Sequence, residues 1–119
     1  MELKLNIYKD RMGREIEKTV TTHDFELTTG VCEDVLDIIN IDMFEGGISA
    51  LSDESATTLI VGIIKNGYPF FIQLIKEIFA LTDDEAKRIK LSELAKLVID
   101  IAKYSFNQLA ESLGGKTKN

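Results

Sequence analysis

The chain has 119 residues, one domain's worth, and its 45% hydrophobic and 29% charged content places it with folding globular sequences rather than disordered ones. The ten residues Ser55–Ile64 form the longest uncharged apolar stretch and would cover about 15 Å of a roughly 30 Å hydrocarbon core, and no basic, apolar and small-residue succession of a secretory leader follows Met1. Neither a membrane span nor export is expected. The net charge of −6 disfavours direct binding to nucleic acid phosphates, and a single cysteine excludes an internal disulfide or a cysteine-rich zinc site, which fits a reducing compartment.

At the start, LKLNIY alternates apolar and polar residues, the period of a half-buried strand, and KDRMG then supplies turn residues in Asp10 and Gly13. REIEKTV alternates again, so the spacing predicts a two-stranded hairpin, which needs the following helices for support. TTHDFELTT reads as an extended connection in which Thr28 or Thr29 caps a helix starting near Gly30. Along that helix Val31, Val35, Ile38 and Ile39 line one side and Glu33, Asp34, Asp37 and Asn40 the other.

From Thr19 to Ile64 there is no lysine or arginine against nine acids, so the front of the chain carries an acidic block. Its centre, MFEGGISALS, reads as a connection through Gly46 and Gly47, with Ser52 placed to cap the next element. TTLIVGII is rich in β-branched residues, yet the cap before it and Gly67 and Pro69 after it favour a helix, followed by a second helix over PFFIQLIKEIFA. That second helix is apolar on nearly every side and is expected to be central. Thr82 and Glu85 form a capping box for a short helix. Ser92 is placed to cap a long last one, whose polar positions Glu93, Lys96, Asp100, Lys103, Asn107 and Glu111 form one narrow stripe. The sum is an α+β, mainly α domain over residues 1–113, an N-terminal β-hairpin packed on a bundle of about four to five helices, with residues 114–119 as a flexible tail.

Residue types that carry chemistry are sparse. His23, the only histidine, stands in a polar loop without an evident nucleophile, and Cys32 at a helix start reads as a small buried hydrophobe more readily than as a reactive thiolate. The glycine pairs lack the context of a phosphate loop, and the acids of EDVLDIINIDMFE lack the alternation of a calcium loop. No catalytic residue, metal or cofactor is expected. Charge clustering, with one aromatic in a glycine-rich connection, nominates Glu33, Asp37, Asp42, Phe44 and Glu45 as a partner-binding face.

The second half, FFIQLIKEIFALTDDEAKRIKLSELAKLVIDIAKYSFNQLAESLGG, places an apolar helix, an LTDDEA break and a final amphipathic helix in succession. This order, with the strands and acidic helix before it, resembles the tail assembly chaperones of long-tailed phages and prophages of Gram-positive bacteria. The likeness is one of pattern over roughly the whole chain. It implies a non-enzymatic protein of the host bacterial cytoplasm that keeps the tape measure protein soluble and recruits tail-tube subunits. It also implies a longer product made by ribosomal slippage near Gly115 and Lys116. The breadth of the last helix's apolar face adds an expectation of self-association. The alternative is an acidic DNA mimic or inhibitor that presents the acidic block to a basic partner.

Overall fold

In the computed structural model the chain is described at residues 2–23, 26–40, 47 and 54–114. Two strands, β1 (Leu3–Tyr8) and β2 (Ile16–Thr22), precede five helices: α1 (Thr29–Ile38), α2 (Glu54–Asn66), α3 (Tyr68–Phe79), α4 (Asp83–Ala86) and α5 (Leu91–Gly114). The architecture is mainly helical α+β with an N-terminal hairpin, as the periodicities predict.

The hairpin is antiparallel and runs in register from Leu3 opposite Thr22 to Ile7 opposite Lys18, after which Tyr8 faces Ile16. Glu17 is the extra residue of a bulge, a device that re-aims a side chain at the end of a ladder. The turn is closed by Asp10, whose Oδ1 accepts the N–H groups of Met12 and Gly13, each at 3.0 Å. Gly13 has φ +68°, a conformation that favours glycine, and the flexible Lys90 side chain lies against it, 2.8 Å from where a Cβ would stand. Leu3, Leu5 and Ile7 of β1 are fully buried, whereas β2 is largely exposed and brings only Val20 to the margin of the core.

Thr28 caps α1 as expected, its Oγ1 accepting from Val31 N–H at 3.3 Å, and Cys32, Val35 and the closing Ile39 are buried. The β-branched TTLIVGII is helical, with Ile60 and Ile64 inward one turn apart. Burial of a helical stripe has overridden strand propensity there. Gly67 lies between α2 and α3 with Pro69 in the first turn of α3, and a Cβ on Gly67 would come within 3.1 Å of Ile38, so the corner closes tightly against α1. The predicted cap Ser52 lies outside the described residues.

The expectation that the helix over PFFIQLIKEIFA is central is corrected by the packing. Phe71, Leu74 and Ile75 bury one side of α3, which packs on α2, α4 and β2. The hub is α5, against which α1, α2 and β1 all lie. Length contributes to this, because 24 helical residues rise about 36 Å and 12 rise about 18 Å, so α5 offers α1, α2 and β1 the longer surface to pack on. Its buried positions from Leu94 to Ser105 spread around more than half of the helix, and the apolar excess there is covered within the chain. Phe106 is exposed beyond them. One buried polar atom, Ser105 Oγ, has no hydrogen-bond partner among the described residues.

Two local predictions differ at helix ends. The Lys90 carbonyl accepts from Leu94 N–H at 2.9 Å, so α5 begins at Leu91 and Ser92 sits inside its first turn rather than before it. At the close of α3, Ala80 adopts the left-handed conformation (φ 55°) and Leu81 N–H reaches back to the Lys76 carbonyl at 3.0 Å, a Schellman closure made without glycine. The helix α5 includes Gly114, one residue past the predicted end, and residues 115–119 lie outside the described part.

Candidate interaction surface

The capping box at α4 is complete: Thr82 Oγ1 accepts from Glu85 N–H at 3.1 Å, and Glu85 Oε1 accepts from Thr82 N–H at 2.9 Å. It fixes a single helical turn, after which 87–90 run beside the end of β1. Two reciprocal bonds join them, Tyr8 N–H to the Arg88 carbonyl at 3.0 Å and Arg88 Nη1 to the Tyr8 carbonyl at 2.5 Å. The same guanidinium donates to Glu17 Oε1 at 2.6 Å and, through Nε and Nη2, approaches Asp84 Oδ2 at 3.2 and 3.1 Å. Glu17 is the bulge residue, so the irregularity in β2 supplies a ligand for Arg88.

Around this clamp the charges are mutually adjusted. The Glu17 hydrogen bond, against the opposing effect of burial, holds the Arg88 guanidinium in its charged form more firmly than usual. Lys18 pairs with Glu85, and that contact, followed by the Thr82 backbone bond, lowers the Glu85 carboxyl to about 2. Lys76 pairs with Asp83 and lowers its carboxyl. The Tyr8 hydroxyl donates to Glu93, which raises the phenol's pKa, and Lys90 Nζ stands 4.7 Å over the Tyr8 ring.

Two grooves flank this junction. One, of about 420 Å³, lies between β1 and α5 and is lined by Lys4, Asn6, Glu93, Lys96 and Asp100 over Leu3 and Leu97. Its charges alternate in sign, and burial raises the Asp100 carboxyl against the pull of Lys96 and Lys103. The other, of about 250 Å³, lies between the hairpin turn and the α4–α5 connection. Arg11, Lys87, Arg88 and Lys90 line it with one acid, Asp10, and Met12 and Leu91 stand on its walls 72% and 42% exposed. Asp10 is already engaged by the turn N–H groups and by Arg14 at 3.5 Å.

The residues nominated from sequence are only partly placed. Glu33 and Asp37 are exposed on α1, one turn apart, while Asp42, Phe44 and Glu45 lie outside the described residues. Cys32 is 1% exposed, and His23 is on the surface with Nδ1 3.5 Å from Glu2. Among the described residues no group of three or more His, Cys, Asp or Glu side chains is positioned to hold a metal ion. No described helix is long and apolar enough to cross a membrane. The basic groove was missed because its two walls, 10–13 and 87–91, are far apart in the chain, and neither KDRMG nor AKRIK announces the other. Comparison of the chain with protein-family models, with curated proteins and with solved structures finds no match.

Proposed function

We propose that the chain is a protein-binding domain that serves as a tail assembly chaperone in a phage-infected or prophage-carrying bacterium, holding the tape measure protein soluble and recruiting tail-tube subunits in the cytoplasm. The observation behind the binding role is the junction of hairpin and α5. Two grooves lie there, and one of them is built on the Tyr8 and Arg88 of the ion-pair clamp and edged by exposed apolar side chains. Preorganised grooves of mixed polar and apolar character suit a polypeptide segment better than a small enclosed ligand. The tail-assembly role rests on the pattern of the second half, with its apolar helix, capped break and long amphipathic helix. Self-association through α5 is left with the exposed Phe106, since the apolar positions from Leu94 to Ala102 are covered within the chain.

Co-expression with a tape measure protein from the same genome tests the role. The expected result is a higher soluble yield of that protein and a complex that elutes together from a sizing column. Unchanged solubility with no complex removes the chaperone function.

A further inference from the structure

We propose that the groove between the hairpin turn and the α4–α5 connection docks an acidic partner segment that carries an apolar anchor residue, with Arg11, Lys87 and Lys90 meeting its carboxylates and Met12 and Leu91 receiving the anchor. The inference deepens the protein-binding reading above by naming a surface and the chemistry of its occupant.

Charge carries the first part of the argument. In a chain of net charge −6, four cations against one acid meet in this groove, and that acid is held by the turn. Neighbouring cations are matched, Lys9 by Glu15, Arg14 by Asp10, Lys18 by Glu85 and Lys76 by Asp83. Arg88 is used by Glu17 and Asp84. Arg11, Lys87 and Lys90 make no ion pair among the described residues; Lys87 acts only at longer range on Asp83, and Lys90 covers the Tyr8 ring. Three cations are therefore free to meet a partner's carboxylates on a wall that Arg88 and the capping box hold in place.

Apolar exposure carries the second part. Of five exposed large hydrophobic side chains among the described residues, two, Met12 and Leu91, belong to this one groove. Methionine is an adaptable surface for an incoming side chain. A volume of about 250 Å³ is below the roughly 300–1,000 Å³ of small-molecule pockets, so the groove seats a side chain or two of a docking segment. A polynucleotide would use the cations, but it would leave Met12 and Leu91 without an apolar partner. An acidic peptide with an apolar residue uses both features.

Fluorescence anisotropy with a labelled twelve-residue peptide of alternating glutamate and leucine tests this, beside hexaglutamate and a twelve-nucleotide single-stranded RNA. The intact chain is expected to bind the glutamate–leucine peptide more tightly than either control, and more weakly as salt rises. Arg11→Glu with Lys87→Glu, both exposed and outside the clamp, should weaken binding at least about tenfold, and Met12→Ser with Leu91→Ser about fivefold. Lys65→Gln, which removes an exposed cation of α2 outside the groove, should leave it unchanged. A thermal melt accompanies each variant, and where the charge reversal lowers the melting temperature, Arg11→Gln and Lys87→Gln taken singly should each still weaken binding about threefold. No binding, binding indifferent to these substitutions, or tighter binding of the RNA overturns the proposal. Peptide binding without an effect on tape measure solubility keeps the groove and removes the tail-assembly role; the converse result removes the groove.

Discussion

The two ends of β1 are held by different physics. At Leu3, Leu5 and Ile7 the strand lies on α5 through buried aliphatic contact, in a core shared with Val35, Ile60, Ile64, Phe71 and Val98. At Tyr8 the same strand is fastened by one backbone bond to Arg88 and by the Arg88 guanidinium, which also holds the carboxylates of Glu17 and Asp84. Burial is non-directional and tolerates irregular shape, so it gathers helices of several lengths around α5. Charge-assisted bonds are directional, so they fix the angle at which the hairpin turn meets 87–91 and hold the basic groove at a set width. The first region makes the domain stable, and the second gives one surface a defined shape.

The strongest way to break the apolar region is Phe71→Ala. The ring is wholly buried and edge-on to Phe70 with centroids 5.3 Å apart, and its removal is expected to destabilise by about 3–5 kcal/mol in chemical denaturation, with little dependence on pH. In the clamped region, Arg88→Ala should lower the denaturation midpoint more than Glu17→Gln or Asp84→Asn alone, because it leaves both acids and the Tyr8 carbonyl without their shared donor. Equal effects of the three variants would mean that Arg88 is not the hub. Gly13→Ala should cost about 1–2 kcal/mol from its positive φ, and by pushing the Lys90 side chain aside should disturb the groove while leaving the helical circular dichroism unchanged.

Acid sharpens the contrast. The Glu85 carboxyl sits near 2 in the folded chain against an ordinary 4.5, so its pairing contributes fully above about pH 4.5 and is lost as the pH falls toward 2. Asp83, lowered by Lys76, adds in the same direction, and Asp100, raised by burial, opposes it. Between pH 4.5 and 2 the chain should lose stability, and Glu85→Gln should flatten that loss; an unchanged slope would remove Lys18–Glu85 as its source. The smallest effect is a gain. Ser105→Ala removes a buried hydroxyl without a described partner and should stabilise by about 1 kcal/mol in the same denaturation assay.

Local signals were legible in the sequence wherever a few adjacent residues decide the outcome. The alternation of LKLNIY, the Thr28 cap, the Thr82–Glu85 box and the helical stripe of α2 all stand where the residue pattern puts them. The left-handed Ala80 was not legible, because alanine gives no sign of such a cap and the Schellman closure is imposed by the burial of Leu81. Of the nominated partner face, the sequence fairly marked Glu33 and Asp37 as solvent-facing, since their helical phase opposes Val35 and Cys32.

What the sequence by itself determined is therefore the alphabet of elements and their polarity, because period, caps and turn chemistry act over one to four residues. Tertiary structure alone decided that α5 and not α3 is the hub, since that depends on which helix α1, α2 and β1 are brought to lie against. It alone decided that Tyr8 and Glu17 join Asp84 and Arg88 in one clamp, because a guanidinium has several donors in fixed directions and two of its acceptors come from the distant strands of the hairpin, the third standing four residues before it. It also brought Arg11 beside Lys87 and Lys90, 76 and 79 positions away, where like charges are tolerated because the covalent turn and the clamp hold them there and solvent screens them.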